Sequence, residues 1–284
     1  MSGDFGSPSP MQPLSVGNVV SAGIRLYRSH LKEYYLLALK AYLWILVPVY
    51  GWAKFYALIA LISRLAFGDL VDQPESISAG ERFVNSRIWQ FLMTMLLMSI
   101  VGMGVVFGIV FVFVLVGALA AVVVGGIGQQ TSPAAGLLVA LMAFVLGLAA
   151  FVAILWLLTR FYLVDVPLAV EDNVDATSTI GRSWELTQGH VWRILLIGFV
   201  AFLITIPIQV LVQILTTIIQ LIFMPLLQQG SSLAALLMVL LIVALSFAGG
   251  AVVVPFWQTI KAVIYYDLRS RREGLGLRLR DRDI

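Results

Sequence analysis

Two long runs of the chain contain no charged side chain, and they predict most of the fold. The first run extends from Ile88 to Thr159 and the second from Ile194 to Ile260. A helix needs about 20 apolar residues to cross a bilayer, so each run is long enough for two crossings. The pattern therefore predicts two membrane hairpins, with uncharged turns at residues 125–133 and 228–232.

A third apolar stretch, Tyr34 to Phe67, is shorter and is interrupted by charged residues. Its segment 47–51 contains a proline and a glycine, which break helices. As one helix the stretch would be roughly 50 Å long, more than a ~30 Å hydrocarbon core requires. Basic residues flank it on both sides, and such residues mark the cytoplasmic face. This favours an even number of crossings or none, and we predict a short or re-entrant hairpin.

The stretch before this hairpin, residues 16–31, places its apolar side chains on one helical face. Arg25 and Lys32 lie on the opposite face and Arg28 lies on the flank. Such a helix can lie in a headgroup layer rich in anionic lipid, or it can pack on the protein's own cytoplasmic loops. Both interpretations stay open, and these three basic residues are the candidate lipid-surface face.

A charged island, Arg160 to Arg193, separates the two long hairpins. Its close-set opposite charges suit either a proton relay or salt bridges that fix helix ends. Salt bridges are favoured because no ionisable residue continues across either hairpin. Asp175 is a candidate N-cap and Gly189 a candidate helix stop, while Ser78 and Glu81 predict another helix starting near Ser78. The candidate boundary charges are Arg160, Asp165, Arg182, Glu185, Asp267 and Arg269.

One predicted membrane leg, 191–226, carries a polar stripe. Its five members fall within about 80° of one another when a helix turns about 100° per residue. Amides in hydrocarbon need hydrogen-bonding partners, so the stripe should face protein or water and not lipid. Interhelical hydrogen bonding is favoured over a substrate groove. The stripe consists of Thr205, Gln209, Gln213, Thr216 and Gln220.

Composition supports a membrane protein, because 61% of residues are hydrophobic and 12% are charged, against about 25% charged in soluble domains. We predict a disordered lead at 1–13, a single membrane domain at 14–268 and a basic cytoplasmic tail at 269–284. Within the membrane domain the predicted units are an amphipathic helix (14–33), the short hairpin (34–67), a hairpin (88–159), the cytoplasmic island (160–193) and a second hairpin (194–266).

The sequence offers no candidate for catalysis. It contains no cysteine, and its two histidines, His30 and His190, are far apart in the chain. Phosphate-binding loops, serine-hydrolase elbows and zinc-protease motifs are missing as well. We therefore expect no catalytic residue, no metal and no cofactor. Nucleic acid is not an expected partner, because the basic residues follow the predicted membrane boundaries.

Two short motifs, Arg182 to Thr187 (RSWELT) and Tyr265 to Gly274 (YYDLRSRREG), resemble a bacterial membrane family. This family is found attached to some glycerophosphoryl diester phosphodiesterases and also as stand-alone proteins. The segment RFYLVDVPLAVED is similar to the family's pattern of Arg, then Pro, then Glu. The stretches LSVGNVVSAGIRLYRSHLKEYY and AYLWILVPVYGWAK resemble cyanobacterial members.

The resemblance implies an integral membrane protein of several helices, often six, and it implies no activity of its own. The phosphodiesterase site of the fused proteins belongs to a separate soluble barrel with a His-Arg and metal-carboxylate signature. This sequence lacks that barrel, so the activity is not carried over.

These observations predict an all-α polytopic membrane bundle with interfacial amphipathic helices. The termini and the island are expected to be cytoplasmic, in a bacterial inner (plasma) membrane or a thylakoid membrane. The expected function is that of a non-enzymatic scaffold or accessory protein, whose partners are anionic lipid headgroups, other membrane proteins or further copies of itself. The alternative is a transporter or lipid-handling protein that uses the polar stripe.

Overall fold

A computed structural model describes residues 15–125 and 133–273 of the chain. These residues form helices joined by turns, with no strand among them. In chain order the helices are α1 (Val16–Ser29), α2 (Leu31–Trp44), α3 (Tyr50–Leu70), α4 (Ile77–Ser86), α5 (Ile88–Gly125), α6 (Pro133–Arg160), α7 (Asp165–Val170), α8 (Ser178–Thr187), α9 (Val191–Gln228) and α10 (Ser232–Glu273).

Four of these helices, α5, α6, α9 and α10, are long and apolar enough to cross a membrane. They are hydrophobic on all sides and leave large side chains such as Phe107, Leu137 and Leu221 more than 60% exposed. Continuous exposed apolar surface of this kind is suited to lipid and not to water. The predicted all-α bundle with two full membrane hairpins is confirmed.

The hairpin of α2 and α3 breaks between Trp44 and Tyr50, where Val49 takes a left-handed φ of 60°. The sequence predicts the break at 47–51, and the residues between the two helices are 45–49. Neither helix is among the candidate membrane spans of the described residues. The Tyr42 ring near the tip packs against Phe55 of α3 and Phe247 of α10, with centroids 5.2 Å away in each case. Membrane crossing by this hairpin stays a prediction.

The tip of this hairpin depends on Gly51, and replacing it with alanine should lower stability. An added Cβ would meet the backbone carbonyl of Trp44 and lie 2.8 Å from the Val47 Cβ. Since backbone cannot move aside as a side chain does, we expect Gly51→Ala to cost about 1–3 kcal/mol of unfolding free energy. Thermal unfolding in detergent measures this cost. Gly181→Ala is the control, because a Cβ there meets nothing within 4 Å. Equal midpoints for Gly51→Ala and wild type would contradict this hairpin geometry.

The main hydrophobic core lies at one end of the bundle, around the C-terminal half of α10. Helix α3 runs beside α10, and α1, α7 and α8 enclose the two. Close approach is essential for α1, since a Cβ on Gly23 would overlap the Ile260 side chain. The Tyr27 hydroxyl also donates to the Val252 carbonyl at 2.9 Å. Most of the paired charges lie in this region, which is called the charged end below. Its charged residues are Arg160, Asp165, Glu171, Arg182, Arg193, Lys261, Asp267, Arg269, Arg271 and Glu273.

Two local predictions need correction or extension. Helix α4 begins at Ile77 with Ser76 as its N-cap, whose Oγ accepts from the Ala79 N–H at 3.3 Å. The predicted helix near Ser78 is therefore present, but the predicted capping box of Ser78 and Glu81 is wrong, because Ser76 is the N-cap and Glu81 pairs with Lys40 of α2 at 2.8 Å. Helix α10 continues to Glu273, into the predicted tail. The lead, residues 126–132 of the first turn and residues 274–284 of the tail lie outside the described residues.

Candidate functional site

One carboxylate of the island, that of Asp165, is buried in the core of the charged end. Asp165 is the first residue of α7 and is 2% exposed. Lys261 Nζ donates to its two oxygens at 2.9 and 2.8 Å, and Gln258 Nε2 donates at 2.9 Å. Gln258 Oε1 in turn accepts from the Ser63 hydroxyl at 2.5 Å. This chain of bonds joins α7, α10 and α3, so the part of the island at 163–169 is buried in the protein.

Two arginines hold the backbone that follows α7. Arg87 donates to the carbonyls of Glu171 and Val174 at 2.7 and 3.2 Å, and it also contacts the carbonyl of Asp172. Arg64 of α3 donates to the carbonyl of Ala169 at 2.8 Å. Neither arginine was predicted as a site residue. The one available signal was position, since Arg87 immediately precedes the first charge-free run.

A second network joins the island to the end of α10. The Glu171 carboxylate accepts from Arg182 of α8 at 3.1 Å and from the Tyr265 hydroxyl. Arg182 also pairs with Glu273, which Arg269 binds at 2.8 Å. Partial burial lowers the pKa of Arg182, but the two carboxylates outweigh it and raise that pKa, so the side chain stays charged. The ion pairs tie α8 to α10.

The other charges at this end also have specific partners. Asp267 lies 2.7 Å from Arg193 of α9 and 3.0 Å from Arg271. The Arg160 guanidinium carbon lies 4.1 Å from the centroid of the Trp184 ring, a cation–π distance. Among the six predicted boundary charges, five enter these contacts, and Glu185 is exposed without a side-chain partner in the described part of the chain. The five are Arg160, Asp165, Arg182, Asp267 and Arg269.

Both residues that the sequence indicated lie near the ends of α8, although Thr177 and not Asp175 is its N-cap residue. The Asp175 carboxylate accepts from the backbone N–H groups of Ser178 and Thr177, at 2.7 and 3.0 Å. Bonds from Ser178 and then Thr177 hold the pKa of Asp175 at about 2. Because the folded pKa is depressed, this contribution to stability is present above the ordinary carboxyl pKa and is lost as pH falls towards 2. Gly189 follows the helix with a φ of 80°.

The chemistry of this region is mutual neutralisation of charge. Four of its acidic side chains are each bound to at least one cation, namely Asp165, Glu171, Asp267 and Glu273. Residues 15–125 and 133–273 contain no group of three or more histidine or acidic side chains placed to hold a metal ion. The geometry therefore favours fixing the helix ends in register.

The basic residues of α1 and α2 are arranged differently. The apolar side of α1 packs on the protein, with Val19 and Val20 buried in the main core. Arg25, Arg28 and Lys32 point away from it and are exposed. None of the three has a hydrogen bond or ion pair to the described residues, unlike the cations of the charged end. Of the two open interpretations, the structure favours packing for the apolar face and leaves the basic face uncovered.

The polar stripe of α9 is only partly satisfied within the chain. Thr205 is 1% exposed, and its hydroxyl accepts from Gln209 Nε2 at 3.1 Å. Thr216 is half-buried, whereas Gln213 and Gln220 are exposed. Within one copy of the chain, the expectation that the stripe faces protein therefore holds for Thr205 alone. The reason is that α9 packs against α10 along a different face of α9, the one that includes Val212.

Comparison with known proteins gives one match. The family described as a domain of unknown function, DUF7847, matches residues 45–268. Searches of the curated proteins and of the solved structures found no match. The matched region begins after α2 and includes α3, both membrane hairpins and the whole island. Because the match covers well over half of its residues, the chain belongs to the DUF7847 family.

Proposed function

We propose that this protein is a non-enzymatic membrane scaffold whose exposed basic face, Arg25, Arg28 and Lys32, binds anionic lipid headgroups. The observation that carries the proposal is the division between its cations. Those of the charged end contact carboxylates, carbonyls or, for Arg160, the Trp184 ring, whereas Arg25, Arg28 and Lys32 form an exposed face without partners among the described residues. A lysine or arginine near an anionic surface contributes about 1 kcal/mol of attraction, so three such residues together would contribute about 3 kcal/mol.

The same distribution of charge supports an orientation. Excess lysine and arginine mark the cytoplasmic side of membrane proteins. The charged end and the basic tail would then be cytoplasmic, in a bacterial inner membrane or a thylakoid membrane. Anionic lipid of the cytoplasmic leaflet would lie within reach of the face. A role as an accessory to other membrane proteins belongs to the same proposal.

The test is lipid retention by the purified protein in nanodiscs of mixed phosphatidylglycerol and phosphatidylcholine. We expect native mass spectrometry to find phosphatidylglycerol bound to the wild type, and R25Q/R28Q/K32Q to lower its apparent affinity at least tenfold. High salt should have a similar effect, because it screens exposed charges. The matched control is R25K/R28K/K32R, which keeps the charge and should retain the lipid. Equal phosphatidylglycerol retention by all three proteins would contradict the proposal.

A transport or lipid-handling role is the second candidate. The observation in its favour is the exposed pair Gln213 and Gln220 on a membrane-spanning helix, since a hydrated path would satisfy their amides. Such a path should make the stripe accessible to water-soluble reagents. The thiol-labelling experiment below separates this role from protein–protein contact.

A further inference from the structure

Four residues of α9, Gln209, Gln213, Thr216 and Gln220, form a polar surface that the chain itself leaves largely uncovered. These four residues are called the α9 seam. The three glutamines are exposed, and neither Gln213 nor Gln220 receives or donates a side-chain hydrogen bond within the described residues. Large apolar neighbours are exposed at the same level, among them Leu211 at 56% and Ile214 at 52%. The seam therefore lies at the depth of the lipid chains.

An uncovered amide at this depth is costly, because lipid chains offer no hydrogen-bonding partner. The seam also has a regular spacing of four, three and four residues. This is the a/d spacing with which two helices wind around each other in a left-handed pair. It extends over about 17 Å of helix, roughly half of the hydrocarbon core. The pattern is therefore long enough to hold a second helix in a defined register.

The chemistry of the seam identifies the second helix as α9 of another copy. A glutamine amide both donates and accepts, so it is complementary to another glutamine at the same depth. Two copies inserted in the same orientation and related by a two-fold axis along the membrane normal place each glutamine level with its counterpart. A different partner would have to supply its own polar groups at three matching depths. We propose that the α9 seam is the interface through which two copies of this chain pair in the membrane.

This pairing is a step beyond lipid binding and does not depend on it. The basic face lies on α1 and α2, whereas the interface is formed by α9. The variant R25Q/R28Q/K32Q should therefore pair as the wild type does. Loss of lipid selection with pairing intact would overturn the proposed lipid role alone, and the converse result would overturn the pairing alone.

Cross-linking tests the pairing directly, because the natural chain has no cysteine. A single cysteine at Thr216 keeps all three glutamines and lies within the seam. The control cysteine replaces Ile218, which is 45% exposed at nearly the same depth but lies on the opposite face of the helix. In liposomes under mild oxidation we expect a disulfide-linked dimer from T216C and little from I218C. Equal cross-linking of both, or none of T216C, would overturn the proposal.

A second measurement removes the hydrogen bonds without disturbing the helix. Energy transfer between labelled copies, followed as lipid is added, gives the dilution at which half of the dimers separate. We expect Q209L/Q213L/Q220L to dissociate at a protein density at least tenfold higher than wild type does. T217V should behave like wild type, since the Thr217 hydroxyl donates to the Gln213 carbonyl of its own helix. A monomeric wild type, or an unaffected triple variant, would contradict pairing by the seam.

Labelling separates the pairing from a hydrated path. If the seam is a protein interface, T216C should resist a membrane-impermeant, water-soluble thiol reagent applied from either side of the liposome. Rapid labelling of T216C would overturn the pairing and favour the transport role. Labelling of a cysteine at Ser231, in the turn between α9 and α10, shows that the reagent is active.

Discussion

Lys261→Met should be among the most destabilising single substitutions in the charged end, by about 3–5 kcal/mol. The reason is the Asp165 carboxylate, whose side chain is 3% exposed and would keep only its bond from Gln258. Breaking a buried ion pair from one side leaves the other charge uncompensated. Asp165→Asn should cost less, because the Lys261 side chain is 18% exposed and its ammonium can turn towards water. Unfolding in mixed detergent gives both free energies.

The double variant D165N/K261M separates the ion pair from the packing. It removes both charges and keeps an amide for Gln258, so it should recover most of the stability lost in K261M. Asp172→Asn is the matched control, since this carboxylate is exposed and has no side-chain partner among the described residues. Losses that simply add in the double variant would show that the pair does not act as a unit.

The second large effect is expected for Arg87→Met. The substitution removes the charged donor to the carbonyls of Glu171, Asp172 and Val174, which lie between α7 and α8. Hydrogen bonds from a charged group are worth about 1.5–3 kcal/mol each and are not additive, so we expect a loss of about 2–4 kcal/mol. Hydrogen exchange should show loss of protection concentrated at 168–177.

Arg82→Met is the control for that experiment. Arg82 lies in α4, the short helix that ends immediately before Arg87, but it is exposed and has no partner in the part of the chain that the structure describes. Its replacement should change stability by less than about 0.5 kcal/mol. If R82M and R87M exposed the island backbone equally, the effect would be one of net charge and not of these hydrogen bonds.

The membrane helices could be predicted closely because one physical requirement dominates them. A crossing needs about 20 apolar residues, and the charge-free runs leave little freedom in where helices begin and end. The sequence placed one leg at Ile88 to about Val124, and α5 extends from Ile88 to Gly125. The break between α2 and α3 could be predicted because Pro48 and Gly51 act locally on the backbone.

The partners of the charges could not be predicted in the same way. Asp165 and Lys261 are 96 residues apart, and no local pattern indicates which distant cation a carboxylate will meet. Arg87 binds backbone carbonyls, which every residue has, so no sequence pattern indicates its partners. A lysine near the end of a membrane helix can extend towards the membrane surface, whereas Lys261 turns inward to Asp165.

For the α9 stripe too, the local helical pattern could be predicted from the sequence and the packing partner could not. Helical periodicity placed its five residues on one side, but the sequence could not show which side of α9 meets α10. The close approach of Val212 to Gly249 decides this, and it leaves Gln213 and Gln220 beside the contact and not within it.

Lipid composition around the protein in its own membrane tests the central claim most directly. Polymer extraction into native discs keeps the surrounding lipid, whose ratio of anionic to zwitterionic species can be compared with that of the whole membrane. We expect enrichment of anionic lipid around the wild type and around R25K/R28K/K32R, and none around R25Q/R28Q/K32Q. The same enrichment around the neutral variant would contradict a lipid-binding face at Arg25, Arg28 and Lys32.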